Sequence, residues 1–166
     1  MNASAIAASA SSVAVLVAVV FGTLTIRQWQ RSRYLAAAAE LVRTMQTGEF
    51  TRAIQRIVEL PEDLPAEKLL ADREVMASFY AVSHVFESLG VLVYHRLLPL
   101  HLVDHLCGGY VRASWKRVRP IVLAQRGTLG AMFGEWYQWL AERIEQYPAP
   151  GKDVGAAIAF KDWKPS

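Results

Sequence analysis

Residues 72–94 read DREVMASFYAVSHVFESLGVLVY, and the spacing of their apolar side chains decides the fold class. Val75, Phe79, Val82, Phe86, Leu89 and Val93 recur at alternating four- and three-residue steps. That is the seam a helix buries when it packs into a bundle. Asp72 stands where an N-cap is needed, ahead of the first seam residue. The stretch is apolar enough that a membrane span is the competing reading. Glu87, with His84 one turn before it, would then lie deep in hydrocarbon, where ionisable groups are costly. The seam is therefore read as a bundle helix, and Glu87 as a carboxylate in need of a partner.

Working outward, helical spacing recurs on both sides and no strand alternation persists. Tyr34, Ala38, Leu41 and Met45 share one face, with Gly48 as the stop. A second helix over Thr51–Leu60 would start at Thr51 and turn Ile54, Ile57 and Val58 inward. Pro61 and Pro65 punctuate an acidic linker through Leu70, with a turn of helix after Pro65. Beyond the central helix, Pro99 opens a short helix through Leu106, and Gly108–Gly109 break it. The next helix, Tyr110–Gln125, should kink or divide at Pro120. The last, Ala131–Gln146, aligns Phe133, Tyr137, Leu140 and Ile144. After Pro148 periodicity ends, and a mobile tail is expected over 148–166.

The N-terminus differs in kind. No charged side chain occurs from Met1 to Ile26, and a helix over Ala5–Ile26 would reach roughly 33 Å at about 1.5 Å per residue. Arg27, Arg31 and Arg33 follow at once, beside Trp29 and Tyr34, as at the cytoplasmic end of a span. A cleaved signal peptide would carry its positive charge before the apolar run, the reverse of the order here. Residues 1–26 are thus read as a transmembrane anchor in the inner membrane, N-terminus outside, and 27–147 as a cytoplasmic bundle of about five helices. The fold class expected is all-α. Ala10, Ala14, Ala18 and Gly22, at four-residue spacing, make a small-residue groove where a second copy could pair in the bilayer.

Composition adds bounds. The 166 residues carry a net charge of +3 and a single cysteine, Cys107, so no disulfide can form within one chain. Basic residues prevail over 27–60 and 75–129, and acidic ones over 61–74. Alternating faces of this kind suit a folded body better than a nucleic-acid tail.

Candidate chemistry is sparse, and no catalytic set or cofactor motif is recognisable. Glu87 is expected to pair with Arg126 or Arg119 from another helix and so fix helix register. Arg112, Lys116 and Arg119 at i, i+4 and i+7, with Arg117 adjoining, form a basic face that is either simply solvated or held against anionic lipid. His101 and His105 share a helix face with Asp104 and Cys107 nearby, a weak zinc candidate without the glutamate of the usual paired-histidine motif. Trp136, Tyr137 and Trp139 cannot all face one core, so Trp136 or Trp139 is expected at a protein interface. The leading expectation is a non-enzymatic membrane-tethered interaction module with an unidentified protein partner. The alternative is a metal- or carboxylate-dependent enzyme using Glu87 or His101/His105.

From the central helix onward, the order of features resembles a bacterial family known as domain of unknown function 4760. The resemblance runs through Phe86-Glu87 and Gly90, Leu97-Leu98, the Leu102–Leu106 helix, Trp115 with Pro120, Arg126 and Leu140 in the aromatic-rich last helix. It covers about Val75–Tyr147 together with the anchor layout. His84 stands where relatives tend to have Asn, and Arg96 and Pro99 where they tend to have Gly and an acidic residue. The resemblance implies one N-terminal span and a small helical cytoplasmic domain, and no activity.

Overall fold

The computed structural model describes residues 3–149 and 155–164, with the side chains of residues 3–17, 30, 31, 33 and 34 outside the described set. The expectations for Ala10, Ala14, Arg31, Arg33 and Tyr34, and for 150–154 and 165–166 of the tail, lie outside the described residues. The described chain is all-helical, without a strand. It divides into two compact units, Met1–Ala38 and Ala39–Ser166. Helix α1, Ala3–Met45, supplies the first unit. Along it Val19, Val20, Phe21, Leu24 and Ile26 are 53–68% exposed.

The second unit holds a bundle of α2 (Gly48–Glu59), α3 (Ala66–Ala71), α4 (Arg73–Tyr94), α5 (Leu100–Leu129) and α6 (Glu135–Gln146). A single turn, α7 (Ala156–Ala159), lies in the C-terminal stretch. Helix α4 is the centre: it packs on α2 and α6, while α5 closes against α6 and α2. By length and composition α4 could cross a membrane, the one helix of which this holds among the described residues. Its Phe79, Val82 and Phe86, however, are fully buried within the protein, together with Ile57 of α2 and Tyr137, Leu140 and Ile144 of α6. Phe86 sits between Phe50 and Tyr137, with ring centroids 5.9 and 5.1 Å away. This is aromatic packing in a bundle core.

Helix ends follow local chemistry. Asp72 caps α4, its Oδ1 accepting from the N–H groups of Glu74 and Val75 at 2.9 and 3.1 Å. Thr47, not Thr51, caps α2, its hydroxyl oxygen accepting from Phe50 N–H at 3.2 Å. Gly48 therefore opens α2 and does not stop α1. The expected break at Gly108–Gly109 and the division at Pro120 do not occur: α5 is one helix. A side chain at Gly108 would collide with the Asp104 carboxylate, so the glycine makes room for a buried charge. Val103, Val111, Val118, Ile121 and Val122 run along one buried face on both sides of these residues, and that burial outweighs the local propensities. Helix α6 begins at Glu135, four residues later than expected, because Gly130 and Gly134 take positive φ of 106° and 69°.

Candidate functional site

Two parallel stripes of α4 form the floor of a cleft. Phe79, Ser83 and Glu87 lie at four-residue steps, and Tyr80, His84 and Ser88 lie beside them. Met132, Phe133 and Gly134, from the connection between α5 and α6, form the opposite wall. The cleft encloses about 370 Å³, within the range of small-molecule sites.

Glu87 organises one end. Its Oε1 accepts from the Tyr137 backbone N–H at 2.7 Å, and the Trp136 N–H also bonds to the carboxylate. These are amides of the first turn of α6, whose own N-cap, Gly134, has no side chain to satisfy them. Glu87 thus caps α6 from a different helix, placing negative charge at the positive end of the helix dipole. Burial pushes its carboxyl above the usual carboxylate range, and Glu135 adds to the effect. The two amide hydrogen bonds and the field of Arg126 oppose it.

This corrects the expected ion pair. Arg126 donates from Nε to the Phe133 carbonyl at 2.9 Å and from Nη2 to Gln138 Oε1 at 2.8 Å. It therefore holds the α5–α6 connection and reaches Glu87 only through its field. Arg119 is exposed. Gly90, one turn beyond Glu87, lets the two backbones touch, since a Cβ there would meet the Trp136 carbonyl. Gly134 is fixed doubly, by its φ and by Val122 Cγ1, which would lie 2.6 Å from an added Cβ.

Glu87→Gln keeps an acceptor for the Tyr137 N–H and should cost under about 1 kcal/mol, whereas Glu87→Ala should cost about 1–2 kcal/mol, the usual worth of a lost cap. Because the folded chain raises the carboxyl, it holds that proton more tightly than the unfolded chain does. Stability should therefore fall as pH rises from the ordinary carboxylate range through the raised value. Urea unfolding midpoints across that window should show the fall in the native chain and its loss in Glu87→Gln. An unchanged pH profile in the variant would contradict the assignment.

Ser83, His84 and Glu87 include the residue types of a nucleophile–base set, without its geometry. Ser83 Oγ is buried and has no hydrogen-bond partner among the described residues. The Ser88 hydroxyl donates to the His84 backbone carbonyl at 2.8 Å. Glu87 is committed to α6. Ser83 had no sequence signal of its own beyond standing four residues before Glu87.

The remaining candidates separate. His101 and His105 are exposed on α5, whereas Asp104 and Cys107 are on its buried side. No group of three metal-ligating side chains occurs among the described residues. Asp104 instead pairs with Arg112 Nη2 at 2.9 Å and accepts from the Ala149 N–H at 2.7 Å. The basic face is divided in the same way. Arg112 faces inward, and Arg117 donates from Nε to the Leu60 carbonyl at the end of α2 at 2.7 Å and pairs with Glu62 at 3.2 Å. Only Lys116 and Arg119 of the four are exposed. Trp136 and Trp139 are both half-buried. They pack on the exposed Tyr94 with centroids 5.0 and 6.0 Å away, an aromatic rim along α4 and α6.

A family model described as domain of unknown function (DUF4760) matches residues 12–144. No curated protein and no solved structure matches the chain.

Proposed function

We propose that this chain, which belongs to the DUF4760 family, is a single-pass membrane protein whose helical bundle works as a non-enzymatic interaction module at the inner face of the cell membrane. The observation that carries the reading is the outward display of Val19, Val20, Phe21, Leu24 and Ile26 on α1. In water each of these forgoes roughly 1–3 kcal/mol of burial, whereas lipid restores it. Thr23 and Thr25, the polar side chains among them, donate to the carbonyls of Val20 and Phe21 at 2.9 and 2.8 Å. They leave no hydroxyl hydrogen to be stranded in hydrocarbon.

Arg27, Arg31 and Arg33 support an orientation with the N-terminus outside and the bundle in the cytoplasm. On this reading the lipid bilayer is the first partner. Ala18 is exposed, and a Cβ at Gly22 would meet nothing within 4 Å among the described residues, which leaves these two positions accessible to a second copy of the span. The rim of Tyr94, Trp136 and Trp139 is the surface offered to a protein partner.

Alkaline carbonate treatment of membranes carrying the full chain tests the tether. The protein should remain in the membrane pellet, and its release into the supernatant would end the proposal.

A further inference from the structure

We propose that the cleft between α4 and the α5–α6 connection binds a small organic cation: a primary ammonium on a flat apolar body, held by Glu87 and Ser83 with Phe79, Tyr80 and Phe133 around it. The cleft belongs wholly to the unit Ala39–Ser166, so the inference does not depend on how α1 meets a membrane.

Ser83 is the first reason. The residue is only 9% exposed, it lines the cleft, and its Oγ has no partner among the described residues. A buried hydroxyl without a hydrogen bond is a cost that a ligand donor would remove.

Glu87 is the second. One helical turn separates it from Ser83 on the same stripe, which sets their Cβ atoms about 5–6 Å apart. A carboxylate offers about four acceptor positions, and the amides of Tyr137 and Trp136 occupy two of them. An ammonium has three donors and no acceptor, so it can bond to the remaining Glu87 positions and to Ser83 Oγ together. An anion would face Glu87 with Glu135 close behind it, while the Arg126 guanidinium is turned to Phe133 and Gln138.

The third reason is the wall. Phe79, Tyr80, Phe133 and Met132 all line the cleft, with the Phe79 ring centroid 5.3 Å from that of Tyr80 and 6.1 Å from that of Phe133. Aromatic faces beside a carboxylate attract a desolvated organic cation and accept its apolar body. A bare metal ion finds no matching ligand set among the described residues, since the cleft holds a single carboxylate and a mostly apolar lining.

The probe is 2-phenylethylammonium, with 2-phenylethanol as its uncharged counterpart. Each is titrated into the full-length protein in a nonionic maltoside detergent, so that no lipid headgroup supplies an ammonium. Methionine-methyl spectra report the site through Met132, and Met45 and Met76 serve as internal controls outside the cleft. The amine should shift the Met132 methyl saturably with a dissociation constant of about 1 mM, as its size allows. The alcohol should bind at least about tenfold more weakly, as should the amine to Glu87→Gln. Ser83→Ala should weaken the amine by about threefold to tenfold. Unmoved Met45 and Met76 signals in the variants would show that the bundle is intact. If Glu87→Gln does not fold, the amine–alcohol comparison on the native chain decides alone. Equal binding of alcohol and amine, undiminished binding to a folded Glu87→Gln, or no saturable Met132 shift would overturn the proposal.

Discussion

Gly90→Ala should destabilise the bundle by about 3 kcal/mol, although it adds a single methyl group to the middle of a helix. On propensity alone the change would favour the helix by up to about 1 kcal/mol. The packing reverses the sign. The new Cβ would run into the carbonyl oxygen of Trp136, with its carbonyl carbon at 2.9 Å and its Cβ at 3.0 Å. These atoms are in the first turn of α6, which cannot yield locally because Glu87 grips the same turn through Tyr137 N–H. Helices α4 and α6 must therefore separate, loosening both the cap and the contact of Phe86 with Tyr137. Gly109→Ala is the control, because a Cβ there meets nothing within 4 Å and the residue is also helical. It should be neutral or slightly stabilising. Denaturant unfolding of the two variants side by side makes the comparison, and equal midpoints would refute the close-approach account.

Asp104→Ala should cost about 3–5 kcal/mol, as expected when one member of a buried ion pair is removed and the other is left behind. Asp104 is fully buried, with one oxygen on Arg112 and the other on the Ala149 N–H. Arg112 also reaches Glu145 at 3.4 Å and donates to the Ile144 carbonyl at 3.5 Å, so it keeps these two partners and loses the one carboxylate that is fully buried. The carboxylate ties the segment after α6 to α5 across 45 residues. The variant should therefore speed amide exchange at Ala149 as well as lower the unfolding midpoint. Asp104→Asn retains an acceptor and should cost less. A small loss for Asp104→Ala, with Ala149 still protected, would show that the pair contributes little.

The legible part of the fold was the part written in apolar periodicity. Phe79, Val82 and Phe86 repeat at helical spacing, and the side chains so marked are the fully buried ones. Asp72 was legible because an N-cap acts on its own helix. What local signals could not carry was tertiary. Gly108 reads as a breaker until the Asp104 carboxylate is seen to occupy its empty side, and Pro120 reads as a division of the helix until the buried Val118, Ile121 and Val122 around it are counted as core.

Glu87 shows the same limit at the site. An acid inside an apolar seam announces a need for a partner, and cationic side chains are the partners a sequence displays. The actual partners are backbone amides of α6, which every residue has and none advertises. Arg112 and Arg117 misled for the converse reason. Their spacing with Lys116 and Arg119 suggests a basic face, yet two of the four are spent on Asp104 and on the end of α2. The Ser83 hydroxyl, buried and without a partner among the described residues, is marked by nothing in the local sequence.

The membrane-tethered arrangement is tested most directly by cysteine accessibility. Cys107 is buried and contributes little background. Asn2→Cys and Lys161→Cys, each in the full chain, are treated with a membrane-impermeant maleimide in sealed right-side-out vesicles and again after detergent opening. The account predicts that Asn2→Cys is labelled in sealed vesicles and Lys161→Cys only after opening. Labelling of Lys161→Cys in sealed vesicles, or protection of Asn2→Cys until they are opened, would contradict it.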